Sequence, residues 1–94
     1  MDSQITITKV INKIGRVIES YRDKENLTQA ELGKRINVSR LTIINIEKGK
    51  GSNTLNILKI LKYFDLLHDL DVSFNLMLEK ANEDDGLSEI NLYE

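Results

Sequence analysis

The feature that most constrains this chain is Thr28-Gln29-Ala30-Glu31, followed a few residues on by Asn37-Val38-Ser39. Thr28 and Glu31 have the spacing of a capping box. The hydroxyl accepts from a backbone N–H three residues on, and the carboxylate reaches back to the N–H of Thr28. A short helix therefore starts after Thr28 and runs to Ile36, with Leu32 and Ile36 inward. Asn37 tolerates the left-handed conformation that turns the chain. Ser39 caps a second helix, which ends at Lys48 before Gly49. Two short helices joined by about three residues form a compact unit. Gly33 permits their close approach, and Val38, Ile43 and Ile46 anchor the second helix to a core.

The flanking sequence adds elements around that unit. Gln4-Ile5-Thr6-Ile7-Thr8 alternates polar and apolar residues, as a short strand or an extended arm does. From Lys9 the period changes to that of a helix, with Val10, Ile14, Val17, Ile18 and Tyr21 on one face, Thr8 or Asn12 as cap, and an end near Glu25-Asn26. Lys48–Asn53 is a basic loop. Thr54 is expected to cap another helix with Leu55, Leu58, Leu61 and Phe64 inward. Leu67, Leu70, Phe74, Met77 and Leu78 continue helical spacing to about Ala81, after which Asn82–Gly86 breaks it. This divides the chain into a domain over 9–81, its motif at 28–48, and an acidic tail over 82–94.

Charge is divided along the same axis. The 94 residues carry a net charge of −2, but 1–62 hold twelve Lys and Arg against six acids, a surplus of +6. Residues 63–94 hold Lys80 alone against nine acids, a net −8. A basic front and an acidic rear imply two surfaces with different tasks. Cysteine is absent, which excludes disulfides and thiolate metal sites. There is no apolar run of the roughly 18 residues a membrane span requires. Met1-Asp2-Ser3-Gln4 lacks the layout of a signal peptide. A cytoplasmic protein with no membrane partner is expected. His68, the one histidine, has no partners for a metal site or a catalytic triad and reads as a surface or half-buried residue. Gly49-Lys50-Gly51-Ser52 lacks the spacing and the preceding strand of a phosphate loop. No cofactor and no enzymatic activity are expected.

Leu27-Thr28-Gln29-Ala30-Glu31-Leu32-Gly33, Ile36-Asn37-Val38-Ser39-Arg40, Thr42-Ile43 and Ile46-Glu47-Lys48-Gly49-Lys50 together resemble the Cro/CI-type (XRE-like) helix-turn-helix domain. The resemblance covers about residues 14–67. It implies an all-α, five-helix, lambda-repressor-like domain, here with an N-terminal arm and an extended acidic tail, that binds an operator in double-stranded DNA, usually as a homodimer. The first motif helix braces on the backbone while the second lies in the major groove. Carried over position by position, Gln29 contacts a phosphate and supports the second helix. Ser39, Arg40, Leu41, Thr42 and Asn45 meet bases or adjacent backbone, and Lys48 and Lys50 meet phosphates. Arg40 suits a guanine edge, and Asn45 an adenine or a phosphate. Glu47 matches a glutamate that pairs with an arginine of the first helix, here Arg22. Two departures stand out. Asn37 replaces the usual turn glycine, and Ile44 joins Leu41, Asn45 and Lys48 on the outward stripe. Ile44 either packs on thymine methyls, extends the core or meets a protein.

The layout also resembles HipB-type antitoxins, with an arm, a helix-turn-helix, a Thr-Leu-capped fourth helix and a tail with an aromatic near its end. That resemblance implies an autoregulatory repressor that also binds a HipA-like kinase toxin, through Ile90, Leu92 and Tyr93 in this chain. Two alternatives stand beside it: a stand-alone phage-type repressor, and a protein-interaction module with a vestigial helix-turn-helix.

Overall fold

A computed structural model describes residues 5–83, which form five α-helices. They are α1 (Ile7–Lys24), α2 (Gln29–Ile36), α3 (Arg40–Glu47), α4 (Thr54–Tyr63) and α5 (Leu67–Glu83). The all-α, five-helix class is as expected. The alternating segment before Lys9 forms no strand in its described part, because Ile7 already lies in α1. Thr6 caps that helix, its hydroxyl accepting from the Lys9 N–H at 3.1 Å. Thr8 and Asn12, the expected caps, are both helical.

The capping box at Thr28 forms. The Glu31 N–H donates to the Thr28 hydroxyl at 3.0 Å, and the Thr28 N–H donates to Glu31 Oε1 at 2.8 Å. Asn37 closes α2 in the left-handed region, with φ 59°. The Val38 N–H then donates back to the Gly33 carbonyl at 2.9 Å. Asn26 ends α1 in the same conformation, and Asp65 adopts it after α4. At α4 the cap falls one residue earlier than expected. The Asn53 side chain accepts from the Asn56 N–H at 2.8 Å, and Thr54 is the first helical residue.

Two compact units divide at Phe64/Asp65. The first holds α1–α4 and the buried apolar core: Ile18 of α1, Leu32 of α2, Ile43 and Ile46 of α3, and Ile60 of α4 are fully enclosed, with Leu27, Val38 and Phe64 beside them. α3 packs on both α1 and α2, and α2 touches α4. Two glycines allow this. A β-carbon on Gly15 would collide with the Ile46 carbonyl where α1 crosses α3, and one on Gly33 would collide with the Val38 carbonyl. Tyr21 and Tyr63 rings flank Phe64 at 5.8 and 5.1 Å between centroids. The Arg35 guanidinium donates to the Tyr63 hydroxyl at 2.7 Å, joining α2 to α4.

The expected inward faces need correcting in two helices. Val10 and Val17 of α1 are exposed, and the enclosed residues there are Gly15 and Ile18. Leu55 of α4 is exposed and Leu58 and Leu61 are half-buried, whereas Ile60 and Phe64 are buried. The apolar residues of α4 surround most of the helix, so periodicity alone does not select the packed side.

The second unit contains α5, which buries no residue. Phe74, Leu76, Met77 and Leu78 are each half or more exposed, and His68 is exposed. No described helix is long and apolar enough to cross a membrane.

Candidate nucleic-acid interface

α3 is eight residues long, about 12 Å at the rise of an α-helix. Ser39 caps it, accepting from the Thr42 N–H at 3.0 Å, and the Ser39 and Thr42 hydroxyls lie 2.8 Å apart. Its buried side is set by Ile43, Ile46 and the Glu47 carboxylate. With successive residues about 100° apart around the axis, the direction opposite that side is occupied by Leu41, flanked by Asn45 and Lys48. Leu41 is 64% exposed. Ile44 lies at the edge of this face and is half-buried. Of the alternatives open for it in the sequence, partial packing into the fold is the one visible in the structure.

The orientation of α3 is held by an ion pair from α1. Arg22 grips Glu47 with two hydrogen bonds, Nε to Oε2 at 2.7 Å and Nη2 to Oε1 at 2.9 Å. Arg22 Nη1 also donates to the Leu27 carbonyl at 2.7 Å. The two side chains are only 11% and 5% exposed. The hydrogen bond to Glu47 raises the guanidinium above its ordinary pKa, against the opposing effect of burial. The Gln29 amide donates to Glu47 Oε1 at 3.0 Å. The start of α2, the end of α3 and the middle of α1 thus meet on one carboxylate. Gln29 supports the second motif helix in this way, and its amide still has one N–H and its carbonyl oxygen to offer.

The loop after α3 is tied to the same scaffold. The Lys48 N–H donates to the Ile44 carbonyl at 3.0 Å, and the Lys50 N–H to the Asn45 carbonyl at 2.9 Å. Gly49 has φ 83°, and a β-carbon there would run into the Asn12 side chain. Asn12 is therefore a positioning residue for the loop. Sequence reading missed that role, as it missed Gly15, because each depends on a contact more than 30 residues away in the chain.

Arg40, Leu41, Thr42, Asn45 and Lys48 are brought together on or beside α3, with Ser39 at its start and Lys50 just beyond its end. Gln29 joins them through Glu47. Ile90, Leu92 and Tyr93, the expected toxin-binding residues, lie outside the described residues. Among the described residues no group of three or more His, Cys, Asp or Glu side chains is placed to hold a metal ion.

A family model described as helix-turn-helix matches residues 18–70. An uncharacterized HTH-type transcriptional regulator of Methanocaldococcus jannaschii is 50% identical over 48 residues, covering 50% of this chain and 73% of the relative. A second, from Archaeoglobus fulgidus, is 45% identical over 49 residues, covering 51% of this chain and 69% of the relative. A third, from Acanthamoeba polyphaga mimivirus, is 57% identical over 37 residues, which span 39% of this chain but 16% of that much longer protein. No solved structure gives a significant match.

Proposed function

The chain belongs to the helix-turn-helix family, in its Cro/CI-type (XRE-like) form, and from that premise we propose that it is a sequence-specific DNA-binding transcriptional repressor. The observation that carries this reading is the outward face of α3, set opposite the buried Ile43 and Ile46 and held by Arg22, Glu47 and Gln29. A helix fixed at both ends keeps its reading side chains in register with base edges. Arg40, Leu41, Thr42 and Asn45 address bases, with Ile44 at the margin. Gln29, Ser39, Lys48 and Lys50 hold phosphates, which position the protein without specifying sequence. The DNA-binding domain is taken as 9–81, with 82–94 as a separate acidic tail.

The repressor binds as a homodimer, so that two copies of α3 address half-sites about 34 Å apart or a multiple of that. This is supported by α5, where Phe74, Met77 and Leu78 are exposed within one side of the helix. Exposed apolar groups in a contiguous strip mark an association surface.

A second reading makes the repressor an autoregulatory antitoxin of the HipB kind that also binds a kinase-like toxin. Val72 and Leu76 favour it, because they are exposed on the other side of α5 and leave apolar surface that one dimer contact does not cover. Co-purification with a neighbouring kinase-like gene product would separate the antitoxin from a stand-alone phage-type repressor. The double variant Gln29→Ala with Arg40→Ala tests the binding mode shared by both. Loss of the Arg40 contact alone should weaken operator binding about 5- to 150-fold, the worth of a bidentate base contact. Unchanged binding by a folded double variant would reject the mode and favour a vestigial motif that meets protein.

A further inference from the structure

Leu41 stands at the centre of the outward face of α3, on the side opposite Ile43 and Ile46 and 64% exposed. Its neighbours on that face are Asn45 and Lys48, which are polar. Nothing within the fold calls for a leucine there. Both turns that flank α3 are closed by other residues, Ser39 and Gly49, and the core positions of α3 are filled by Ile43 and Ile46. An exposed leucine of this kind is matched by whatever the face meets.

We propose that Leu41 reads the 5-methyl group of thymine in the operator's major groove. The inference rests on the DNA-binding reading and adds a base preference to it. Leucine has neither donor nor acceptor, so laid against guanine, cytosine or adenine edges it would strip water from polar atoms and return no hydrogen bond. The thymine methyl is the one apolar group that unmodified DNA displays in the major groove. A residue at the middle of the groove-facing side is the one best placed to reach it. Ile44 is the poorer reader because it is half-buried at the edge of the face. Leu41 therefore adds selectivity for T·A pairs that Arg40 and Asn45 do not supply at that position.

The test uses the full-length chain. Duplexes are selected from a random pool, and the enriched sequence is synthesised once with thymidine and once with deoxyuridine, which differs only by lacking the methyl. Both are titrated with the wild type and with Leu41→Ala at one salt concentration, after circular dichroism has shown that the variant folds. The wild type should bind the deoxyuridine duplex about 3- to 10-fold more weakly, as expected for losing one buried methyl-sized contact in each half-site. Leu41→Ala should bind both duplexes equally. Specific binding by the wild type with no thymidine preference would overturn the role of Leu41 and leave the DNA reading standing. A thymidine preference that persists in Leu41→Ala would overturn it also, assigning the methyl to another residue. Failure to enrich any sequence would overturn the DNA reading and this inference with it.

Discussion

Glu47 joins three segments at one carboxylate, and its value follows from how little water reaches it. Removing Glu47 leaves the Arg22 guanidinium almost enclosed and without its counter-charge. Glu47→Ala should therefore cost about 3–5 kcal/mol of folding stability, far more than an exposed pair would. Urea denaturation measures it. A loss below about 1 kcal/mol would mean that the pair is solvated. Gly33 offers a test in which two effects have opposite signs. Helix propensity alone makes Gly33→Ala stabilising by up to about 1 kcal/mol. The collision of the new methyl with the Val38 carbonyl makes it destabilising by about 1–3 kcal/mol. The second effect should win, since the obstructing atom is backbone at the turn between α2 and α3 and cannot swing aside as a side chain would.

At the scale of the element, the α2 capping box titrates. The Thr28 backbone N–H, bonded to the Glu31 carboxylate, is the main cause that holds that carboxyl below its ordinary 4.5, with the Thr28 side chain and Arg35 adding to it. A group whose pKa is lowered by folding stabilises the fold above its unfolded value, and that contribution disappears as pH falls through the lowered one. The wild type should lose stability on acidification below about pH 4.5 more steeply than Glu31→Gln, which keeps an acceptor but does not titrate. Thermal melts across that range compare the two, and identical acid limbs would deny the capping role. α5 carries a different expectation. Phe74→Glu with Met77→Glu should convert a dimer into a monomer in analytical ultracentrifugation, whereas a wild type that sediments as a monomer would reject α5 as the interface.

The elements also differ in how far the sequence discloses them. The boundaries of α2 and α3 were legible because their signals are local: Thr28 and Glu31 sit three residues apart, and Asn37 and Ser39 act on their immediate neighbours. The packed faces of α1 and α4 were less so. α4 carries apolar residues on nearly all sides, and the apolar stripe of α1 is wider than the part the core covers, which leaves Val10 and Val17 exposed. The candidate interface was legible as a set of residues through family resemblance. Leu41 at its centre, Ile44 at its margin and Asn12 behind its loop became distinguishable only once the axis of α3 was placed against the core.

Over the whole molecule, the basic surplus in residues 1–62 and the acidic surplus in 63–94 put cationic charge in the part that carries the motif. The sequence-wide value of −2 therefore understates its attraction for DNA. If Lys48 and Lys50 of two copies each neutralise one phosphate, the logarithm of the binding constant should fall with the logarithm of salt concentration at a slope of about −3 to −4. Substituting Lys50 by Ala should lessen that slope without changing which sequence is preferred, because a phosphate contact carries no base information. The most direct measurement is a gel-shift titration of the full chain on the DNA upstream of its own gene, alongside unrelated DNA of equal length, over a series of salt concentrations. Autoregulatory sequence readout predicts a shift confined to the upstream duplex at low protein concentration, with that steep negative salt slope. Equal and weak binding to both duplexes would contradict it.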